Sequence, residues 1–223
     1  MQKAFAKEKV SLLQGKKMVF FGYGRHDAAR NMAIDEAMFM DSKETGNCWL
    51  RFYDFDRPSI ILAISDHPDS LNTANLESIG VSRRKSGGDP IYLDDTDTFS
   101  YSFSGRFDSD LPFNYEFKEF VHEHLGRMVA DSIKTVVEED CKVDIGKHNS
   151  IRLNGMPIAG NAQRIEGKYS FLYQGVLAVG GWNPDKIRSV LRICDEDYES
   201  LGYLPSVDRF AKVKNMGPDY YKE

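Results

Sequence analysis

Ser82-Arg83-Arg84-Lys85-Ser86-Gly87-Gly88-Asp89-Pro90-Ile91-Tyr92-Leu93-Asp94 sets two arginines, a hydroxyl and paired glycines between an apolar-leaning segment and a strand-like run. Glycines let backbone N–H groups approach a ligand that a Cβ would hold off, and guanidinium supplies forked donors suited to carboxylate or phosphate. The stretch reads as a ligand loop, with a hairpin turn carrying solvated arginines as the plainer alternative.

Upstream of it, Ser59-Ile60-Ile61-Leu62-Ala63-Ile64 is a continuous apolar run, the pattern of a strand covered on both faces. Asp66-His67-Pro68-Asp69 ends the run, and a short helix is expected over 75–79, closed by Gly80. Downstream, residues 95–104 read as a strand in which Phe99, Tyr101 and Phe103 alternate with Ser100, Ser102 and Ser104, giving one apolar and one polar face.

Toward the N-terminus, residues 1–17 are lysine-rich and read as an irregular lead-in. Met18-Val19-Phe20-Phe21 is a short strand broken by Gly22-Tyr23-Gly24, and Asp27 caps a helix over 28–40. Met32, Ala33, Ala37, Met38 and Met40 form its core stripe, and Asn31, Asp35 and Glu36 its solvated face. Residues 48–53 make another strand.

In the second half, a helix over 114–137 carries Phe117, Phe120, Val121, Leu125, Met128, Val129, Ile133 and Val136 at steps of three and four. His122 and His124 lie two apart, share no helical face and are expected in solvent. Ile151-Arg152-Leu153, Asn154-Gly155 and Met156-Pro157-Ile158-Ala159 read as strand, tight turn and strand, Asn-Gly being the strongest short hairpin signal. Gly160-Asn161-Ala162-Gln163-Arg164 follows, then a strand over 169–179 and a helix capped at Trp182-Asn183-Pro184-Asp185 and reaching residue 193.

With 223 residues and 41% hydrophobic content the chain can bury one main core. A net charge of −5 offers no positive field for a nucleic-acid backbone, so no such partner is expected. No apolar run approaches the roughly 18 residues of a membrane span, and the first residues lack the apolar segment of a secretion signal, so a cytoplasmic protein without membrane contact is expected. Cys48, Cys141 and Cys194 are scattered and odd in number, and the histidines add no ligand spacing; neither a disulfide framework nor a metal site is expected.

Four segments stand in a telling order: Asn31-Met32-Ala33-Ile34-Asp35-Glu36-Ala37, Leu50-Arg51-Phe52-Tyr53, Arg83-Arg84-Lys85-Ser86-Gly87-Gly88, and Asn154-Gly155-x-x-Ile158-Ala159-Gly160-Asn161-Ala162-Gln163. Together they resemble the lipoate-protein ligase and octanoyltransferase family and, more distantly, the catalytic domain of biotin ligases, over roughly residues 18–195. The resemblance implies an α/β (α+β) fold, a mixed central sheet flanked by helices. It implies a lead-in over 1–17, a catalytic domain over 18–195 and an extension over 196–223 too short for an accessory domain.

The chemistry implied is activation of lipoate or octanoate by ATP and Mg²⁺, then acyl transfer to a lysine of a lipoyl carrier domain. Transferases of the family take a ready thioester instead. The carrier would belong to a 2-oxoacid dehydrogenase or be the glycine cleavage H protein; a separate accessory ligase subunit is a further expected partner, and no cofactor is held tightly. By resemblance Arg84, Ser86, Gly87, Gly88, Asp89, Ile91 and Tyr92 form the acyl-adenylate side of the site, with Gly160, Asn161 and Ala162 on the other wall. An apolar slot would take the chain, with donors at its polar end.

The chain departs from the family pattern at that polar end. Asp89 stands where a third glycine is usual, Leu93 and Gln174 where histidines are usual, and Pro157 where the family places a lysine that contacts the acyl carbonyl and phosphate. Proline supplies neither charge nor N–H donor, and a carboxylate at position 89 repels phosphate unless a cation lies between them. Lys85, Lys147 and Lys168 are candidates to bring an ammonium to the vacated place, with solvated surface lysines as the alternative. Cys141 lies upstream of the Asn-Gly turn, as does the acyl-accepting cysteine of some family transferases, but Glu138-Glu139-Asp140 before it disfavours a thiolate, and an inert cysteine is the alternative.

No catalytic residue is thereby assigned. Two functions of different class stand side by side: an acyl ligase or transferase with altered site chemistry, and a non-catalytic homologue binding an acyl group, a nucleotide or the carrier domain as a regulatory or accessory protein. A related enzyme acting on another carboxylate is the third.

Overall fold

The computed structural model describes residues 16–94, 98–107, 115–146, 150–167, 169–178 and 184–192. Expectations for residues 1–15 and 196–223, for Lys147, His148, Lys168 and Cys194, and for the cap at Trp182-Asn183 lie outside the described residues.

The elements in chain order are β1 (Met18–His26), α1 (Ala28–Thr45), β2 (Cys48–Phe55), β3 (Ser59–Leu62), β4 (Gly80–Arg83), β5 (Ile91–Leu93), β6 (Thr98–Arg106), α2 (Tyr115–Lys134), β7 (Val143–Ile145), β8 (Ile151–Leu153), β9 (Met156–Glu166), β10 (Ser170–Ala178) and α3 (Pro184–Val190). They form the expected mixed α/β architecture: a seven-stranded sheet of order β1-β2-β6-β10-β9-β8-β7 and a three-stranded sheet of order β4-β3-β5. In the large sheet β1 runs parallel to β2 and the remaining pairs are antiparallel. All nine residues of β10 are buried, as a central strand covered on both faces requires. Among the described residues no helix is long and apolar enough to cross a membrane.

The small sheet positions the glycine loop. β3 is its central strand, parallel to β4 and antiparallel to β5, so the chain joining β4 to β5 must cross the end of β3. It is pinned there by the Arg84 N–H donating to Leu62 O at 2.9 Å and the Ile64 N–H donating to Ser86 O at 3.0 Å. The buried apolar run Ser59–Leu62 is the strand expected, two residues shorter.

Helix α1 differs from its expected orientation. Asp27 caps it as foreseen, Oδ1 accepting from the Arg30 N–H at 2.8 Å, but the helix continues to Thr45 before Gly46 ends it. Asn31 and Asp35, assigned to the solvated face, are 0% and 1% exposed, while Met40 of the supposed core stripe is 41% exposed. The cause lies in β6, whose serines were also assigned to an open polar face. Ser100, Ser102 and Ser104 are buried under α1, with Ser102 Oγ donating to Asp35 Oδ1 at 2.7 Å and Ser104 Oγ lying 3.0 Å from Ser42 Oγ. Two polar faces satisfy one another inside the protein.

Other departures are local. Gly22-Tyr23-Gly24 does not break β1, which bulges between Phe20 and Gly22 and runs on beside β2 to His26. The helix expected over 75–79 is replaced by single 3-10 turns at Pro68–Ser70 and Thr73–Asn75, where the side-chain amides of Asn72 and Asn75 both donate to Ser189 O and tie the segment to α3. His122 and His124 are partly buried rather than solvated: the His124 ring packs 4.0 Å from the Phe120 ring, and His122 Nδ1 lies 3.3 Å from the Tyr173 hydroxyl. The Asn154-Gly155 hairpin forms as expected, with φ of 52° and 81° at its two turn residues.

Candidate functional site

Arg84 is a buried side chain of the glycine loop, 7% exposed. Its Nη1 donates to Ile61 O at 3.1 Å and its Nη2 to Gly87 O at 2.7 Å and Asp89 O at 2.9 Å. The guanidinium therefore holds the loop's own backbone against β3. Burial lowers its pKa from the ordinary arginine value. Gly88 has φ of 97°, the left-handed region that favours glycine, and a Cβ there would crowd Arg84 Nη2 at 3.0 Å.

Behind the loop runs a buried polar chain. Asp35 Oδ1 accepts from Arg51 Nη1 at 3.0 Å, and its Oδ2 accepts from the Tyr53 hydroxyl at 3.0 Å and from Gln174 Nε2 at 2.7 Å. Gln174 Oε1 in turn accepts from Ser86 Oγ at 2.7 Å. Arg51 also donates to the backbone and side-chain oxygens of Asn31 and lies 4.1 Å from the centre of the Tyr53 ring. Burial, and then Asp35, push the Tyr53 hydroxyl well above its ordinary pKa, which keeps it a donor. Both amide atoms of Gln174 are thus engaged in fixing the loop, and an amide carries no titratable proton for acid–base work.

In front of the loop lies a cavity of about 860 Å³. Arg84, Lys85, Gly87, Gly88, Asp89, Ile91 and Tyr92 line one side, and Pro157, Gly160, Asn161 and Ala162 of β9 line the other. Met32, Phe55, Ile61, Leu93 and Val176 give it an apolar interior. Of the loop and wall residues singled out in the sequence, Ser86 is the one that does not border the cavity: it is fully buried and faces Gln174 instead. Asp89 and Lys85 are exposed at its edge, and Asp89 is its one lining carboxylate among the described residues.

Asn161 is anchored across the sheet. Gly175 of β10 pairs with Tyr101 on one side and Asn161 on the other, and the Tyr101 hydroxyl donates to Asn161 Oδ1 over it. A Cβ at position 175 would fall 2.2 Å from Tyr101 Cζ, so only glycine allows this bridge.

Cys141 does not border the cavity. It is partly buried, with Asn154 Nδ2 at 3.8 Å from Sγ and the carboxylates of Glu138 and Asp140 close by. The sequence reading did not single out Lys118, Arg152 and Arg164, which also line the cavity. Arg164 is held in ion pairs by Glu36 at 2.6 Å and by Glu166. The position of Arg152 was open to inference, since a two-residue hairpin at Asn154-Gly155 pairs Leu153 with Met156 and hence Arg152 with Pro157, as observed.

Residues 27–216 match the family model described as the lipoyl protein ligase A/B catalytic domain. The chain belongs to that family. Among curated proteins the sequence finds no match. Of solved structures, a protein from T. acidophilum with bound lipoic acid aligns with a TM-score of 0.65 at 17% identity, covering 90% of this chain and 84% of that one. Lipoate-protein ligase A bound with ATP aligns with a TM-score of 0.63 at 18% identity, over 90% of this chain and 83% of that one. The bi-partite lipoate protein ligase described with its E2 lipoyl domain, from Thermoplasma acidophilum, aligns with a TM-score of 0.61 at 15% identity, over 89% and 83%. At these identities the likeness establishes the lipoate ligase fold for this chain.

Proposed function

We propose that this chain binds the acyl group of lipoate or octanoate in the cavity between the glycine loop and β9, and passes it, as an adenylate or from a thioester, to a lysine of a lipoyl carrier domain. The observation that carries this reading is the cavity: an apolar interior that ends at a backbone loop and at cationic side chains, which matches a fatty acyl chain with a carboxyl or phosphate head. Family relatives supply the substrate class, since solved structures of this fold hold lipoic acid or ATP and one is described with an E2 lipoyl domain.

ATP and Mg²⁺ would serve if the acyl group is activated here. One carboxylate together with phosphate oxygens is a fitting donor set for Mg²⁺, and Asp89 at the cavity edge is that carboxylate. The metal would then relieve the repulsion between Asp89 and a phosphate. A carrier domain from a 2-oxoacid dehydrogenase or the glycine cleavage H protein would be the acceptor, with an accessory subunit as a further partner.

Pro157 favours a second reading, a homologue that binds the acyl group or carrier without transferring it, because the hairpin offers no ammonium at that place. Incubating the protein with octanoate, ATP, Mg²⁺ and an apo lipoyl domain, and separately with an octanoyl thioester, tests both. A carrier gaining the mass of one octanoyl group on its acceptor lysine supports the enzyme. Octanoate binding with no carrier modification under either condition supports the binder.

A further inference from the structure

Three arginines line the cavity, and two of them are occupied. Arg84 gives both Nη groups to the carbonyls of Ile61, Gly87 and Asp89 and keeps only a buried Nε without a partner among the described residues, and Arg164 is paired with the carboxylates of Glu36 and Glu166. Among the described residues the Arg152 side chain makes no hydrogen bond or ion pair, and the carboxylate across from it in β7, Asp144, is paired with Lys142 at 3.4 Å. The two lining lysines, Lys85 and Lys118, are exposed, whereas Arg152 is partly buried.

Its placement is specific. Arg152 sits in β8 directly across from Pro157, and both residues border the cavity. Residues opposite one another in an antiparallel pair share a face, with Cβ atoms about 5 Å apart. The Arg152 side chain passes over Gly146, where a Cβ would come within 2.2 Å of its Nε. The bare backbone at Gly146 gives the stem its path, so the planar fork is placed rather than swinging freely.

Pro157 contributes no charge and no N–H to the cavity wall. An acyl carboxylate or an acyl-adenylate phosphate presents anionic oxygens that need a desolvated cationic donor, and a guanidinium meets two of them at once. We propose that Arg152 is the anion-binding residue of this cavity, contacting the carboxylate or phosphate of the substrate from the strand facing Pro157. The inference rests on the acyl-binding reading above and adds to it the residue that holds the polar end.

Calorimetric titration of the intact protein tests it with three probes: octanoate, octyl-AMP carrying one phosphodiester charge, and the neutral ester 5′-O-octanoyl-adenosine. A charge-assisted hydrogen bond lost from a partly buried site should weaken an anionic probe by about tenfold or more. Arg152→Ala is expected to lose that affinity for octyl-AMP, octanoate or both, and which of them falls names the phosphate or the carboxylate as the anion held. The neutral ester should bind wild type and variant alike, Arg152→Lys should recover part of the loss, and the unfolding midpoint should not move. Equal affinity of wild type and Arg152→Ala for both anions overturns the inference and leaves the acyl-binding reading standing, as does an equal loss of the neutral ester. Failure of wild type to bind any of the three overturns both.

Discussion

The side-chain amide of Gln174 donates to Asp35 Oδ2 at 2.7 Å while its oxygen accepts from Ser86 at 2.7 Å, so one residue of the central strand couples helix α1 to the glycine loop. Asp35 is the hub of that link, since it also takes donors from Arg51, Tyr53 and Ser102. Removing its charge strands Arg51, which is 1% exposed, in the interior. Asp35→Ala is expected to cost about 3–5 kcal/mol in urea unfolding, the range for one half of a buried ion pair. Gln174→Leu removes only the relay, leaving Ser86 without its acceptor, and should cost about 1–3 kcal/mol.

Arg84 gives a test of loop construction. The sequence placed it on the ligand; in the structure its Nη donors are directed to three backbone carbonyls. Arg84→Lys keeps a positive charge but loses the fork, so it should fail to restore stability. Both Arg84→Ala and Arg84→Lys are predicted to unfold at lower urea by about 2–3 kcal/mol. A lysine variant as stable as wild type would return Arg84 to a purely electrostatic role.

Gly175→Ala probes the Tyr101–Asn161 bridge. The new methyl would meet Tyr101 Cζ at 2.2 Å across the sheet. Overpacking of this kind costs about 1–3 kcal/mol, and displacement of Asn161 should also reshape the β9 wall of the cavity. Thermal unfolding and octanoate affinity should fall together; a stable variant with unchanged affinity would deny the bridge any part in the wall.

His122 makes stability depend on acid. Burial lowers its pKa in the folded protein, while the unfolded chain has the ordinary value near 6.5. The unfolded state therefore binds more protons between the two values, and stability rises with pH across that window. Lowering the pH from 7 should weaken the fold below about 6.5, the loss levelling off beneath the folded value. His122→Phe is expected to make that acid slope shallower in denaturation series run from pH 7 to pH 5.

How much of this was open to the sequence depends on the range of the interaction. The β3 run and the Asn154-Gly155 hairpin are local signals, a buried apolar tetrad and two residues that accept positive φ, and both elements formed where read. The orientation of α1 was not legible, because amphipathicity assigns Asn31 and Asp35 to solvent unless Arg51 and Ser102, distant in sequence, are known to meet them. The motif segments around Asn31 and Arg51 marked the resemblance, but their physical reason is this long-range polar network. At the candidate site, the loop and the β9 residues fell around one cavity, while Ser86 turned inward to Gln174 and Cys141 stayed outside. Arg152 was recoverable from hairpin register alone, given that the turn has two residues.

Thermal unfolding of the purified protein with and without a non-hydrolysable sulfamoyl analogue of lipoyl-AMP tests the central claim most directly. A ligand that binds only the folded state stabilises it by RT ln(1 + [L]/Kd), whether or not catalysis follows. An acyl site in the cavity predicts a midpoint that climbs steadily with analogue concentration, and that does so far less with the adenosine sulfamate lacking the lipoyl chain. A midpoint that stays fixed at saturating concentrations of the analogue, in a protein that unfolds cooperatively, would contradict it.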